Sequence, residues 1–226
     1  MAAPVARPQR ARLTREEVAR AALEIVDRDG LEGLSMRRIA DELGVGTMTL
    51  YGYFRSKQEL LDAVIDAAVE AAPRVPRTGT WRDQLSALIR IARRTLLRHP
   101  ALVQIRLRQP VLRPESLRFS EAALRILRSA GFERREATQS FRLLFTYVFG
   151  FAGLGPEETS AEQRRQAAAA IAALPPDQYP ALTAAADEAS EAMAGEEQFE
   201  YGLERILDGL EARLAVDKRR RRASGR

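Results

Sequence analysis

The chain has 226 residues, of which 46% are hydrophobic and 30% charged, the balance of an ordinary globular protein with one or two domains. It contains no cysteine, which excludes disulfides and thiolate chemistry and fits a reducing compartment. The formal net charge of +5 suits a polyanionic partner without identifying one.

Residues 1–12 form a basic leader that contains two prolines and no acid, so we expect a mobile arm. The leader lacks the apolar core of a signal peptide, and no apolar run in the chain approaches membrane-spanning length. We therefore expect a cytoplasmic protein. The arm's arginines either enter a groove of a polyanionic partner or only add salt-dependent affinity, and the sequence leaves both open: Arg7, Arg10 and Arg12.

The first helix is predicted to begin after Thr14 and to end at Gly30. Thr14 and Glu17 have the spacing of a capping box, in which each side chain accepts a hydrogen bond from the other residue's backbone amide. Glycine at the other end permits a left-handed backbone. The apolar face consists of Val18, Ala22, Ile25 and Val26.

The next segment predicts two short helices joined by a tight turn at a steep angle. Ser35 caps a helix over Met36–Leu43, and a third helix runs from Thr47 to Phe54. Gly44 allows the chain to turn where a Cβ would be costly. The residues spaced to fill the core between these helices are Ile39, Ala40, Leu43, Val45 and Leu50.

This arrangement leaves the first turns of the third helix projecting outward. Hydroxyls there can bond phosphates or base edges, and methyl groups can contact the thymine methyl. The start of a following helix, with its free amides and Lys57, suits a phosphate. A helical hairpin inside an ordinary core is the alternative, but the two caps, the turn and the aromatic third helix together favour DNA binding. The candidate residues are Arg37, Thr47, Met48, Thr49, Tyr51, Tyr53 and Lys57.

A domain boundary is predicted between Pro73 and Gly79. Ser56 and Glu59 predict a second capping box that opens a fourth helix ending near Ala72, and two prolines then break the pattern. We expect a helix-turn-helix domain over 13–72 and a larger domain over 80–216, followed by a basic tail over 217–226 that includes Lys218–Arg222. The tail adds nonspecific attraction or solubility.

The larger domain is predicted to be helical throughout, and because no stretch alternates as a strand does, the whole chain is predicted to be all-α. Residues 155–180 contain several prolines around an alanine-rich segment and are expected to be partly irregular. Helices are predicted over 80–98, 101–108, 114–130, 134–153, 181–194 and 196–216.

Two apolar patterns in this domain are candidates for a ligand pocket and a dimer interface. An aromatic stretch from Phe141 to Phe151 fits a pocket, the core or a dimer seam equally well. The last helix carries an apolar stripe beside Gly202 and Gly209, which fits a dimer interface or packing within one subunit. The ligand candidates are Arg106, Gln109, Glu121, Phe145 and Phe149, the polar three being chosen because each interrupts an apolar face. The dimer candidates are Phe141, Val148, Phe199, Leu203, Ile206, Leu207 and Leu210.

An enzyme is not expected. The chain has no cysteine, one histidine and no glycine-rich loop after a strand, so the common nucleophile, metal and phosphate-loop arrangements find no support. We predict no cofactor and no metal site.

Residues 13–65 resemble the DNA-binding domain of the TetR family of bacterial transcriptional regulators. The matching stretches are Leu34–Ala40, Leu43–Val45, Thr49–Tyr51 and Phe54–Leu61. The resemblance implies base or groove contacts from Arg37, Thr47, Met48 and Thr49. It also implies phosphate contacts from Tyr51, Tyr53 and Lys57. Gly52 stands where a bulkier residue is often present, so the contact that some members make there is missing.

The resemblance extends to the last helix, where Phe199–Glu204 is similar to the tetracycline-repressor branch, whose final helix joins a four-helix dimer bundle. It implies a homodimeric repressor that a small molecule releases from a palindromic DNA operator. A regulator without a ligand, or an activator, is the alternative. Arg106 aligns with a histidine that holds magnesium in tetracycline repressors, and a guanidinium cannot bind Mg²⁺. Tetracycline–magnesium sensing is therefore not expected, and His99 is interpreted as a helix-terminal residue.

Overall fold

The computed structural model of the chain describes residues 13–108, 114–154, 160–192 and 195–223. Every regular element in these ranges is a helix and none is a strand, which confirms the all-α prediction. The chain divides into two compact units. The first consists of Met1–Ala71 with Gln104–Ser116, and the second of Ala72–Val103 with Leu117–Arg226.

The first unit contains four helices, of which α1 packs against α2 and α4, and α2 packs against α3. Their bounds are α1 Arg15–Asp29, α2 Met36–Leu43, α3 Thr47–Tyr51 and α4 Lys57–Ala71, with a short 3-10 turn at Leu31–Gly33. The core between them excludes water almost completely, since its large side chains are 0–1% exposed. These side chains are Val18, Ile25, Ile39, Leu50, Phe54, Leu60 and Val64.

The predicted caps of α1 and α2 are present. The Thr14 hydroxyl accepts a hydrogen bond from the Glu17 amide at 3.1 Å, and the Glu17 carboxylate accepts one from the Thr14 amide at 2.7 Å. Ser35 caps α2 by accepting from the Arg38 amide at 3.1 Å. Gly44 ends α2 with φ 63° and ψ 36°, in the left-handed region that favours glycine.

The third helix is shorter than predicted, because α3 ends at Tyr51 and not at Phe54. The Tyr53 amide donates to the Leu50 carbonyl at 2.9 Å, so the chain tightens into a turn before α4 begins. Leu43 and Val45, predicted to be core residues, are only half-buried.

The second unit contains α5, most of α7, α8 and the four helices that follow, while α6 crosses the division at Val103. Helix α8 packs against α5 and α12, and α9 packs against α10 and α11. No helix among the described residues is long and apolar enough to cross a membrane. The bounds are α5 Trp81–Arg98, α6 Ala101–Arg108, α7 Pro114–Ala130, α8 Arg134–Gly153, α9 Ala161–Ala172, α10 Pro180–Ala184, α11 Ala186–Glu191 and α12 Glu196–Ala223.

One helix of this unit falls within the segment expected to be partly irregular, and two further details differ from the sequence prediction. The alanine-rich segment forms α9, which begins at a capping box between Ser160 and Gln163. The helix predicted over 181–194 is two short helices, because the Ala185 amide bonds back to the Leu182 carbonyl and breaks the run. The segment expected to be a tail continues α12 to Ala223, since arginine and lysine are good helix formers and cations favour a helix C-terminus.

Candidate nucleic-acid interface

Helix α3 offers an outward face of hydroxyls and one thioether. Met48 is 80% exposed and Tyr51 49% exposed, while Thr49 is exposed and Thr47 half-buried. Between them Leu50 is fully buried and fixes the helix to the core of the unit. The structure therefore places these four candidates on the surface of a short, firmly anchored helix, as the sequence predicted.

Arginine side chains on α2 differ in what they contact. Arg38 pairs with Asp29 at 3.3 Å, and the nearby Arg28 pairs with both Asp29 and Glu42. Arg37 is exposed and has no ion pair within the described ranges. Of these arginines, it is the one whose guanidinium stands open for a phosphate or a guanine edge.

The start of α4 is a candidate phosphate site. The first amides of a helix have no intrahelical acceptor, and here Ser56 caps the Glu59 amide at 3.1 Å. Lys57 is exposed at the first position of this helix. Free amides, the helix dipole and an ammonium group together attract an anion.

The capping box predicted at Ser56 is only half formed. The Glu59 carboxylate accepts its backbone hydrogen bond from the Arg55 amide at 2.9 Å, one residue before the expected donor. It also pairs with Arg15 at 2.8 Å. The bond from the Arg55 amide, with the Arg15 guanidinium, holds the pKa of the Glu59 carboxyl below its ordinary value.

The structure gives Tyr53 a different contact from the predicted one. Its hydroxyl donates to the backbone carbonyl of Leu13, so that proton is not offered to a phosphate as we expected. The Tyr53 carbonyl in turn accepts from the Arg15 guanidinium. The contacts of Arg15 were not predicted, although an arginine in the first turn of a helix is a signal in itself, because a cation is disfavoured at that end.

The five ligand candidates fall in both units of the chain. Arg106 is half-buried in the first unit, and Gln109 lies outside the described residues. In the second unit Glu121 is exposed, while Phe145 and Phe149 are half-buried. These two rings stack with centroids 4.2 Å apart and planes 23° apart. The five-residue ligand site therefore remains a prediction.

The stacked rings belong to a longer row on α8. Phe141 continues it, with its ring centroid 5.9 Å from that of Phe145. A second aromatic group on the same helix turns to α12, where Tyr147 and Phe151 contact Phe199 at 5.3 and 5.5 Å. The row from Phe141 to Phe149, which we call the phenylalanine ladder, is thus separate from the aromatic contact between α8 and α12.

Most of the predicted dimer residues lie inside the subunit's own core, which corrects the sequence prediction. The face of α12 that carries the apolar stripe packs within the unit, and Val148 lies on the buried face of α8. Phe141 and Ile206 are only half-buried, so part of each side chain is open to a partner. The five core residues are Val148, Phe199, Leu203, Leu207 and Leu210, each at most 7% exposed.

Exposed apolar side chains on α8 and α12 were missed. Leu143 is 50% exposed and Tyr201 is 61% exposed. Gly150 and Gly209 lie inside these two helices, and a Cβ built on either would meet no atom of the described structure within 4 Å. Glycine weakens a helix by about 1 kcal/mol relative to alanine, so an open glycine at mid-helix suggests a close neighbour from outside.

Two family models match the chain. The model described as "Bacterial regulatory proteins, tetR family" matches residues 18–64, which hold most of α1, all of α2 and α3, and the first half of α4. The model described as "Tetracyclin repressor-like, C-terminal domain" matches residues 72–214.

Named relatives match along most of their length. The repressor DrrR1 of Streptomyces coeruleorubidus is 36% identical over 217 residues, covering 90% of this chain and 79% of that protein. The class D tetracycline repressor of Escherichia coli is 32% identical, covering 91% and 93%. Among solved structures, ActR of Streptomyces coelicolor without ligand matches at a TM-score of 0.80 and 30% identity, covering 92% and 100%. ActR in complex with actinorhodin matches at 0.79 and 32% identity, covering 89% and 97%.

Proposed function

The chain belongs to the TetR family of bacterial transcriptional regulators, and from this premise we propose that it is a homodimeric repressor that a small molecule releases from its DNA operator. The observation that carries the DNA-binding part is α3, which is anchored by the buried Leu50 and exposes Met48, Thr49 and Tyr51. No catalytic step is part of this function.

The residues fall into two roles on DNA. Arg37, Thr47, Met48 and Thr49 contact base edges in the major groove, where the methyl groups of threonine and methionine suit thymine. Tyr51 and Lys57 contact the phosphate backbone, which fixes the register of the helix without reading the sequence.

The second copy of the chain packs on the exposed faces of α8 and α12. These faces carry Leu143 and Tyr201, and Gly150 and Gly209 leave space for a close approach of another helix. One short recognition helix offers few contacts, and two-fold symmetry doubles them on a palindromic site.

The effector binds in the second unit, with the phenylalanine ladder as an apolar aromatic surface for it. Half-exposed rings stacked at 4.2 Å suit an aromatic molecule, which gains offset stacking as well as burial. Actinorhodin, which is bound to the relative ActR, is the first compound to test.

Release from DNA follows from a shift between two spacings of the recognition helices. A dimer that holds them about one turn of DNA apart, roughly 34 Å, matches successive major grooves. An effector that binds more tightly to a dimer with another spacing lowers the population of the DNA-binding form. The size of this shift is set by the difference between its affinities for the two forms.

The test is to select bound duplexes from a random DNA pool at moderate salt and then to add actinorhodin to the complex. We expect a palindrome with two half-sites and a lower affinity when the compound is present. Recovery of unrelated sequences whose binding vanishes at higher salt would contradict sequence-specific regulation. A recovered palindrome whose affinity no tested compound changes would favour a regulator without a ligand.

A further inference from the structure

Arg15 joins three parts of the connection between α3 and α4. Its guanidinium donates to the Tyr53 backbone carbonyl and pairs with the Glu59 carboxylate at 2.8 Å. The same group lies 4.2 Å from the centre of the buried Phe54 ring. One side chain at the start of α1 therefore holds both the turn that follows α3 and the first turn of α4.

The position of this arginine is unfavourable for α1 itself. It is the first residue of the helix, where the macrodipole is positive and acids are preferred, and indeed Glu16 and Glu17 follow it. The cost is offset by partners outside the helix, chiefly the carboxylate on α4. The presence of arginine at position 15 is therefore better explained by its contacts with the turn after α3 and with α4 than by any stabilisation of α1.

The contacts are arranged so that both sides of the connection are fixed. The Tyr53 carbonyl has no helical partner because α3 ends at Tyr51, and Arg15 supplies its donor. Beyond it the Arg55 amide bonds to Glu59, which Arg15 also holds. The Tyr53 hydroxyl adds a second tie to the start of α1, at Leu13.

Arg15 also balances a charge beside the candidate phosphate site. Glu59 lies in the first turn of α4, two residues after Lys57. An ionised carboxylate there would repel a phosphate that approaches the free amides, and the adjacent guanidinium offsets that repulsion. Lys57 itself is exposed and points its charge to solvent without an ion pair in the described ranges.

We propose that Arg15 is a positioning residue for operator binding, which sets the distance between the base-reading face of α3 and the phosphate-binding start of α4. Specific binding needs both contacts at once, so it depends on that distance. Nonspecific binding needs only cations near the backbone, so it does not. The inference rests on the proposed DNA-reading surface and adds a residue that touches no DNA.

Arg15→Lys is the sharpest variant, because lysine keeps the charge but lacks the planar fork that holds the carbonyl and the carboxylate together. Arg20→Lys is the matched control, since Arg20 lies exposed on the same helix with no ion pair among the described residues. Affinity is measured by titration for the duplex that the wild-type chain selects and for a shuffled duplex, each over a series of salt concentrations. Glu59→Gln keeps an acceptor for the Arg55 amide but removes the charge that pairs with Arg15. It therefore tests the contact between Arg15 and α4 from the α4 side.

We expect Arg15→Lys to lower the ratio of specific to nonspecific affinity about tenfold, with the nonspecific salt slope unchanged. Glu59→Gln should lower the ratio in the same direction, and Arg20→Lys should leave it unchanged. A variant that merely unfolds loses both affinities in proportion, so the ratio separates positioning from stability. If the wild-type chain selects no operator, the proposed function fails. If it selects one and the ratio is unchanged in both Arg15→Lys and Glu59→Gln, the positioning role is overturned.

Discussion

At the scale of single residues, the contact between Tyr147 and Gly202 shows how one missing side chain allows two helices to meet. The Tyr147 hydroxyl donates to the Phe199 carbonyl at 2.7 Å, and its ring stacks on that of Phe199. A Cβ at Gly202 would lie 2.3 Å from the hydroxyl oxygen. Burial raises the pKa of Tyr147 to about 12, so the hydroxyl keeps its proton at neutral pH.

We expect Gly202→Ala to lower the free energy of unfolding by about 1–3 kcal/mol. The added methyl group overpacks the site, and the cost of this overpacking exceeds the stability gained from the higher helix propensity of alanine. Urea denaturation measures the change. Adding Tyr147→Phe removes the nearest atom and should recover part of the loss. Unchanged stability for Gly202→Ala would contradict the contact.

Substitutions of Lys57 and Thr49 should affect DNA binding in different ways. Lys57→Ala removes one phosphate contact, so affinity should fall for every duplex and the salt slope should decrease by about one. Thr49→Ala should change the preference among operator variants with little effect on the slope. Binding titrations at several salt concentrations measure both. A Thr49→Ala variant that weakens all sequences equally would show that this residue does not read bases.

The sequence predicted which faces are apolar, but not what covers them. The row from Phe199 to Leu210 was assigned to either a partner or the subunit, and it lies in the subunit. Tyr53 was given a phosphate because hydroxyls near a recognition helix bond phosphates, yet its partner is a carbonyl 40 positions away. Periodicity is a local property of one helix, whereas the partner of a side chain depends on how distant helices pack.

At the scale of elements, a row of ion pairs lines the seam between α5 and α12. Arg82 contacts Glu204, Asp208 and Glu211 at 2.5, 2.7 and 3.1 Å. Further along, Arg90 pairs with Glu200 at 2.6 Å. Acids spaced at three or four residues on α12 thus face two arginines that lie eight residues apart on α5, and neighbouring pairs support one another.

The pH dependence of stability should report on this seam. The hydrogen bond from Arg90 holds the pKa of the Glu200 carboxyl below its ordinary value of 4.5. The stability it contributes is therefore present above pH 4.5 and is lost as the pH falls through the lower, folded-state pKa. We expect Glu200→Gln to lower the free energy of unfolding by about 1 kcal/mol at pH 7 and to flatten the loss below pH 4.5.

Glu197→Gln is the control for this experiment, because Glu197 is exposed on α12 and has no ion pair within the described ranges. Chemical denaturation at pH 7, 5 and 3.5 compares the variants. Parallel curves for Glu200→Gln and the wild-type chain across this range would show that the seam does not contribute to the acid response.

Helix boundaries were predictable where a cap marks them. Thr14, Ser35 and Gly44 each place a boundary where the structure has it, since caps act through bonds within one turn. The fixed turn after α3 and the half-formed box at Glu59 were not predictable, because Arg15 takes part in both and lies in another helix. The extension of α12 was missed because a basic run was interpreted as solvated and not as helical.

At the scale of the whole molecule, the open surfaces of α8 and α12 call for a second copy of the chain. Leu143 is half exposed and Tyr201 more than half exposed. Single exposed apolar side chains of this kind are common on protein surfaces and need no partner. Gly150 and Gly209 are harder to explain within one subunit, since each weakens its helix and neither makes room for a neighbour there. A partner helix approaching closely accounts for both.

We expect Gly209→Leu to weaken the dimer at least about tenfold while the subunit stays folded, because leucine stabilises an isolated helix but blocks the close approach of another. Sedimentation over a range of protein concentrations measures the association. Ala170→Leu is the control, since it adds the same side chain to an exposed position on α9. Gly209→Leu should bind a single half-site with the affinity of the wild-type chain, because each subunit keeps its own α3. It should lose the additional affinity that the wild-type dimer has for the palindrome. A dimer of unchanged strength would place the interface on another face.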